Sequence, residues 1–169
     1  RHFADAFERV PCGDATDYAL RLAEIAEEHA VDLVVPWSDE EALAAARQRG
    51  LFERGNRKLA CADVGTLETL GDKTETYRAL EAAGLPVPAW RRASTVAELT
   101  AAIDELLVSG LDVVVKPASS RGGRDVSIIR SDLQGSQSHG AGRQLHMDAA
   151  TFRRDIAARY AETLPVIVS

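Results

Sequence analysis

Apolar positions in the first part of the chain fall into two rhythms. Between Asp14 and His29, Ala19, Leu20, Leu22, Ala23 and Ala26 recur at helical spacing, with acids early in the segment. VDLVVP, from Val31 to Pro36, is instead an unbroken apolar run closed by proline, the pattern of a strand buried on both faces. Ser38 and Glu41 form a capping box into an alanine-rich helix that Gly50 ends. KLACA, Lys58 to Ala62, reads as a second short strand. This alternation predicts parallel α/β structure over residues 1 to 62. A doubly wound sheet normally opens with a strand, and that strand is expected upstream of Arg1.

From Asp63 the pattern changes. Asp72 caps a predicted helix from Lys73 to Ala83, with Glu75 at the box position and Gly84 at the stop. LPVPAW then forces an extended segment, because each proline pushes its predecessor out of helical space. Thr95 and Glu98 cap another helix that ends at Gly110. VVVK and VSII flank a Ser/Arg/Gly loop and are expected to pair antiparallel. Residues 131–150 show no periodicity and are expected to be a mobile loop or an insertion. A last helix, Phe152 to Thr163, leads into the strand PVIVS. A start without a strand and a stop on PVIVS suggest a piece of something longer.

Composition excludes several classes. A net charge of -6 and a pI near 5.2 argue against a nucleic-acid or membrane-surface protein. No apolar run approaches the ~20 residues that cross a bilayer, and the first residues do not resemble a signal peptide. Cys12 and Cys61 lack metal-type spacing and read as reduced thiols of a cytoplasmic protein. The four histidines show no metal-site spacing.

Against that acidic background, residues 113–130 (VVVKPASSRGGRDVSIIR) stand out. Lys116, Arg121, Arg124 and Arg130 face one acid, Asp125, a local charge of four minus one, +3. A phosphate chain needs inward N–H groups, close main-chain approach and neutralising cations. Adjacent glycines supply the first two and Lys116 the third. Walker A and GxGxxG patterns are absent, and in kinases the glycine loop precedes the strand lysine rather than following it. A glycine-rich hairpin with solvated arginines is the plainer alternative. Lys73 weighs against it, because a lysine in the first turn of a helix opposes the dipole at a cost of about 0.3–1 kcal/mol, and an anionic ligand there would account for the choice.

GDKTETYRALEAAGLPVPAW, then VVVKPASSRGGRDVSII, then LPVIVS, in that order, resemble the ATP-grasp superfamily. VDLVVPWSDEEALAAA resembles the end of the preceding Rossmann-like domain in the carbamoyl-phosphate synthetase and biotin carboxylase branch. The resemblance implies an α/β chain: residues 1–62 as the C-terminal part of a Rossmann-like pre-ATP-grasp domain, and residues 63–169 as the N-terminal part of an ATP-grasp domain. That first subdomain is α+β with antiparallel strands and ends at the adenine hinge.

By the same resemblance Lys73 contacts nucleotide phosphate from the helix start, and Lys116 contacts the α/β-phosphates. Gly122 and Gly123 belong to the loop that closes over them, with Ser119, Ser120, Arg121 and Arg124 around it. Main-chain groups near Val168 and Ser169 would face the adenine. Asp125 departs from the pattern, standing where relatives mostly carry a small residue such as glycine. ATP and Mg²⁺ are the implied cofactors. The metal ligands and the substrate-facing arginine are expected beyond Ser169.

The implied activity is ligation of a carboxylate to an amine through an acyl phosphate. The implied partners are a small carboxylate and an amine, with a homodimer as one expected assembly. The residues leave two other readings open. One is a non-catalytic nucleotide-sensing or interaction domain, which Asp125 and residues 131–150 favour; the other is a plain flavodoxin-like domain with a basic hairpin.

Overall fold

The computed structural model describes residues 4–54, 56–120, 124–139 and 144–169. The chain divides into two units, residues 1–70 and 71–169. The sequence pattern changes character after residue 62, a few residues before that division.

In the first unit α1 (Tyr18–Glu28) and α2 (Asp39–Arg47) flank β1 (Leu33–Val34), and β2 (Lys58–Leu59) pairs parallel to β1. Ser38 and Glu41 form the capping box at α2, the hydroxyl accepting from Glu41 N–H and the carboxylate accepting from Ser38 N–H. Gly50 does not end the helical region. It lies inside a short α3 (Arg49–Phe52), whose Phe52 is fully buried against Tyr18, Ala45 and Leu59. The apolar run around β1 is not buried on both faces either. Val34 is buried, but Leu33 and Val35 are more than half exposed. Burial on both faces needs elements packed on both, and the β1–β2 sheet has two strands. After β2 comes α4 (Val64–Gly71), a helix that the sequence pattern does not predict.

The second unit is built on a six-stranded sheet. Its strands are β3 (Arg91–Ala93), β4 (Val113–Pro117), β5 (Val126–Ile129), β6 (Ser136–His139), β7 (Gln144–Met147) and β8 (Val166–Val168). They lie in the order β3-β8-β4-β5-β7-β6. Strands β4 and β5 pair antiparallel across the glycine loop, as the flanking apolar runs predict. Within residues 131–150, expected as a mobile loop or an insertion, the described residues supply β6 and β7, with β7 parallel to β5 and β6 antiparallel to β7 at the sheet edge.

Two helices precede the main strands. α5 (Lys73–Ala82) starts at Asp72, whose carboxylate accepts from Thr74 and Glu75 N–H. α6 (Val96–Leu107) starts at Thr95, whose hydroxyl accepts from Glu98 N–H. α6 buries Leu99 and Ile103 against Val113, Val115, Val166 and Val168, the main core of the unit. The segment expected as one helix from Phe152 changes character along its length. A short α7 (Ala149–Thr151) capped by Asp148 continues as a π turn, Phe152–Ile156, and then as a 3₁₀ turn, Ala157–Glu162. No described helix is long and apolar enough to cross a membrane.

Candidate functional site

Alternation along β4 decides which face each side chain takes. Val113, Val115 and Pro117 are buried, and the two valines belong to the core beneath α6. Lys116 therefore lies on the opposite face. It stands across from Ile167 of β8, which is buried outside that core cluster. There its Nζ donates to Tyr77 Oη at 3.0 Å and stands 5.1 Å from the ring centre. The shorter distance to oxygen makes this a charge-assisted hydrogen bond first and a cation–π contact second. Two of the three ammonium donors of Lys116 have no protein partner among the described residues.

Lys73 occupies the first position of α5, and its partners are in the loop after β4. Its main-chain N–H donates to Ala118 carbonyl at 2.9 Å. Its ammonium donates to Ser120 carbonyl at 2.7 Å and reaches Ala118 carbonyl at 3.4 Å. These carbonyls are themselves the negative ends of dipoles, so they account for a lysine in the first turn without a bound anion. Lys73 thus fixes the start of the glycine loop, whatever else it holds.

The far end of the loop is held from elsewhere. Asp125 has φ 56, a left-handed backbone that glycine adopts freely and that Asp tolerates better than most residues. Its carbonyl accepts from Tyr160 Oη at 2.8 Å. A phenol has one proton, so the buried Ser127 hydroxyl, also 2.8 Å away, must donate to Tyr160. Burial, with the charge of Asp125 in support, pushes the Tyr160 phenol up to about 12. Between the two ends Ser119 and Arg124 are exposed, and the half-buried Ser120 hydroxyl stands 3.5 Å from Arg124 carbonyl. Arg121, Gly122 and Gly123, expected over the phosphates, lie outside the described residues.

At the end of β8, Val168 is fully buried. Ser169 N–H donates to Val114 carbonyl at 2.9 Å, and Val114 N–H donates to Ser169 carbonyl at 2.7 Å. Both main-chain groups of Ser169 thus pair in the β-ladder, and its carbonyl keeps a second lone pair. The Ser169 side chain lies close enough to Tyr77 to favour its ionised form. Burial opposes ionisation of Tyr77, yet the Lys116 hydrogen bond and charge, Ser169 and the charge of Lys73 together bring its phenol below the ordinary value. Tyr77 thus feels both lysines.

The donor set of two ammonium groups, serine hydroxyls and main-chain groups fits phosphate oxygens. Mg²⁺ prefers carboxylate and carbonyl oxygens. Among the described residues no three His, Cys, Asp or Glu side chains gather as a metal site.

The sequence reading missed Tyr77, Trp90 and Tyr160. Tyr77 had a usable signal, four residues after Lys73 on the same helix face. Tyr160 had none, because its partner Asp125 is 35 residues away.

No family model matches the chain. Among curated proteins, the uncharacterized protein y4rH of Sinorhizobium fredii (strain NBRC 101917 / NGR234) is 37% identical over 75 residues, 44% of this chain and 15% of that protein. N5-carboxyaminoimidazole ribonucleotide synthetase, solved as an ADP complex, superposes with a TM-score of 0.63 at 22% identity. It covers 99% of this chain and 36% of its own. The biotin carboxylase domain of Hydrogenobacter thermophilus 2-oxoglutarate carboxylase, solved with MgADP, ADP and bicarbonate, gives 0.58 at 18% identity, over 89% of this chain and 30% of its own. A RimK domain ATP-grasp protein of Sphaerobacter thermophilus DSM 20745 gives 0.52 at 19% identity, over 98% of this chain and 61% of its own. The chain thus spans about a third of the first two structures and less of the curated relative. Likeness at 18–22% identity speaks to the fold, and on that ground the chain has the fold of part of an ATP-grasp enzyme.

Proposed function

We propose that residues 1–169 are the nucleotide-holding front part of an ATP-dependent carboxylate–amine ligase, in the branch that contains biotin carboxylase and carbamoyl-phosphate synthetase. The observation that carries this reading is Lys116. It is half-buried at the end of a central strand, held by a neutral phenol and with two donors unpartnered among the described residues. Bound ATP supplies the phosphoryl group that makes a carboxylate reactive toward an amine.

The chain's own residues position and neutralise. Lys116 offers its charge and donors to the α/β-phosphates from a rigid strand, at low reorganisation cost. Lys73 fixes Ala118 and Ser120, and Tyr160 fixes Asp125, so the described ends of the glycine loop are held in place beside the phosphates that Lys116 would bind. Mg²⁺ would bind through phosphate oxygens and carboxylates other than these residues. Adenine recognition falls to groups near the Val168–Ser169 edge.

The two features that favoured a non-catalytic sensing domain have structural accounts. Residues 136–139 and 144–147 are ordinary sheet strands, and Asp125 occupies a left-handed position. The ligase reading is tested by calorimetric titration of MgATP into the protein at full length. We expect Lys116→Ala to weaken binding about tenfold to a hundredfold, the worth of one charge-assisted hydrogen bond. Unchanged affinity would remove the phosphate role. ATP turnover dependent on an added carboxylate separates the ligase from a sensing domain.

A further inference from the structure

Lys116 takes a tyrosine as its partner, although a carboxylate would hold an ammonium more tightly. The choice has a consequence for charge. A carboxylate would neutralise the cation and compete with any phosphate. A phenol accepts one N–H and leaves the positive charge intact.

Tyr77 is itself braced. Its ring meets Trp90 edge-on, with centroids 5.7 Å apart and planes at 65°. Trp90 Nε1–H donates to Glu81 Oε1 at 2.9 Å. Glu81 lies four residues after Tyr77, one turn further along α5, while Trp90 arrives at the end of the extended LPVPAW segment. One helix thus supplies both the phenol and the anchor of the indole that backs it. Lys73 of the same helix fixes the loop beside it.

We propose that Tyr77 is a positioning residue for Lys116, its phenol holding the ammonium in one direction toward a nucleotide's phosphates while leaving it charged. Trp90 and Glu81 keep the phenol in place. The inference rests on the phosphate role proposed for Lys116 and adds Tyr77 to that site.

The test titrates MgADP into the protein at full length, as wild type, Tyr77→Phe, Lys116→Ala and the double variant. It is read beside the ¹⁵N-edited NMR signal of the Lys116 ammonium. Tyr77→Phe keeps the ring and the Trp90 contact, and its melting temperature serves as the folding control. The expected result is an affinity loss of about tenfold, no further loss when Tyr77→Phe is added to Lys116→Ala, and faster ammonium proton exchange at Lys116. Tyr77→Glu, which keeps an acceptor but neutralises the charge, should bind more weakly than Tyr77→Phe. A residue that only packed the site would tolerate Tyr77→Phe without loss of affinity.

Wild-type affinity in Tyr77→Phe beside a clear loss in Lys116→Ala would overturn the inference. So would equal losses from Tyr77→Phe with and without Lys116. Unchanged affinity in Lys116→Ala would overturn the phosphate reading itself and this inference with it.

Discussion

The start of α5 and the end of β4 each carry a lysine, and the two are used differently. Lys73 spends its ammonium on the carbonyls of Ala118 and Ser120. Lys116 spends one donor on a neutral phenol. Sequence pattern and family resemblance treat the pair alike, as a two-cation clamp. The surroundings separate them into a lysine that builds the loop and a lysine that is held ready beside it. Stability and binding should therefore come apart between the two positions.

The largest effect on folding should come from Lys73→Ala. It leaves two half-sheltered carbonyls without their cation, and hydrogen bonds to charged groups are worth about 1.5–3 kcal/mol. Denaturant unfolding should show a loss in that range, whereas Lys116→Ala, which gives up one hydrogen bond to a half-buried phenol, should cost less, about 1 kcal/mol. Equal losses at both positions would erase the distinction.

Tyr160→Phe sharpens the comparison from the other end of the loop. It removes the donor to Asp125 carbonyl and the acceptor for the buried Ser127 hydroxyl. We expect about 1–2 kcal/mol of lost stability, from the desolvated groups left behind. The measurement is chemical unfolding of the variant beside wild type.

Asp125→Gly should act in the opposite direction and more weakly. Glycine relieves the left-handed backbone at φ 56 but adds unfolded-state entropy. The net expectation is a gain of about 0.5 kcal/mol, against a clear loss for Asp125→Ala, read from melting temperatures.

A smaller effect is set by Asp148. N–H groups of Thr151 and Gly135, with the Thr151 hydroxyl, hold its carboxyl down to about 2. The folded value lies below the ordinary carboxyl value of 3.8. Its contribution is therefore present above pH 3.8 and is lost as pH falls toward about 2. Asp148→Asn should flatten acid unfolding in that window. An unchanged acid limb would show that the cap between β6–β7 and α7 does not matter to the fold.

What the sequence made legible was local. The caps at Ser38, Asp72 and Thr95 bond within three residues of themselves, and each stands where the pattern put it. The β4–loop–β5 hairpin was legible because two apolar runs bracket a turn. Strand β6 was not, since Ser136, Gln137 and Ser138 are exposed at a sheet edge and need no apolar alternation. The burial expected around β1 failed for a related reason: a strand's sequence records the surroundings it favours, while the two-strand sheet leaves Leu33 and Val35 open. At the site, both lysines and the loop were visible as residue types. The partners that divide their roles were not, because Tyr77 meets Lys116 across 39 residues and Tyr160 meets Asp125 across 35.

The most direct test of the account is a crystal structure of the protein at full length with ADP and Mg²⁺. The account predicts Lys116 Nζ within hydrogen-bonding distance of a phosphate oxygen while still on Tyr77 Oη, and Lys73 still on Ser120 carbonyl. A nucleotide bound with its phosphates away from Lys116 would contradict it.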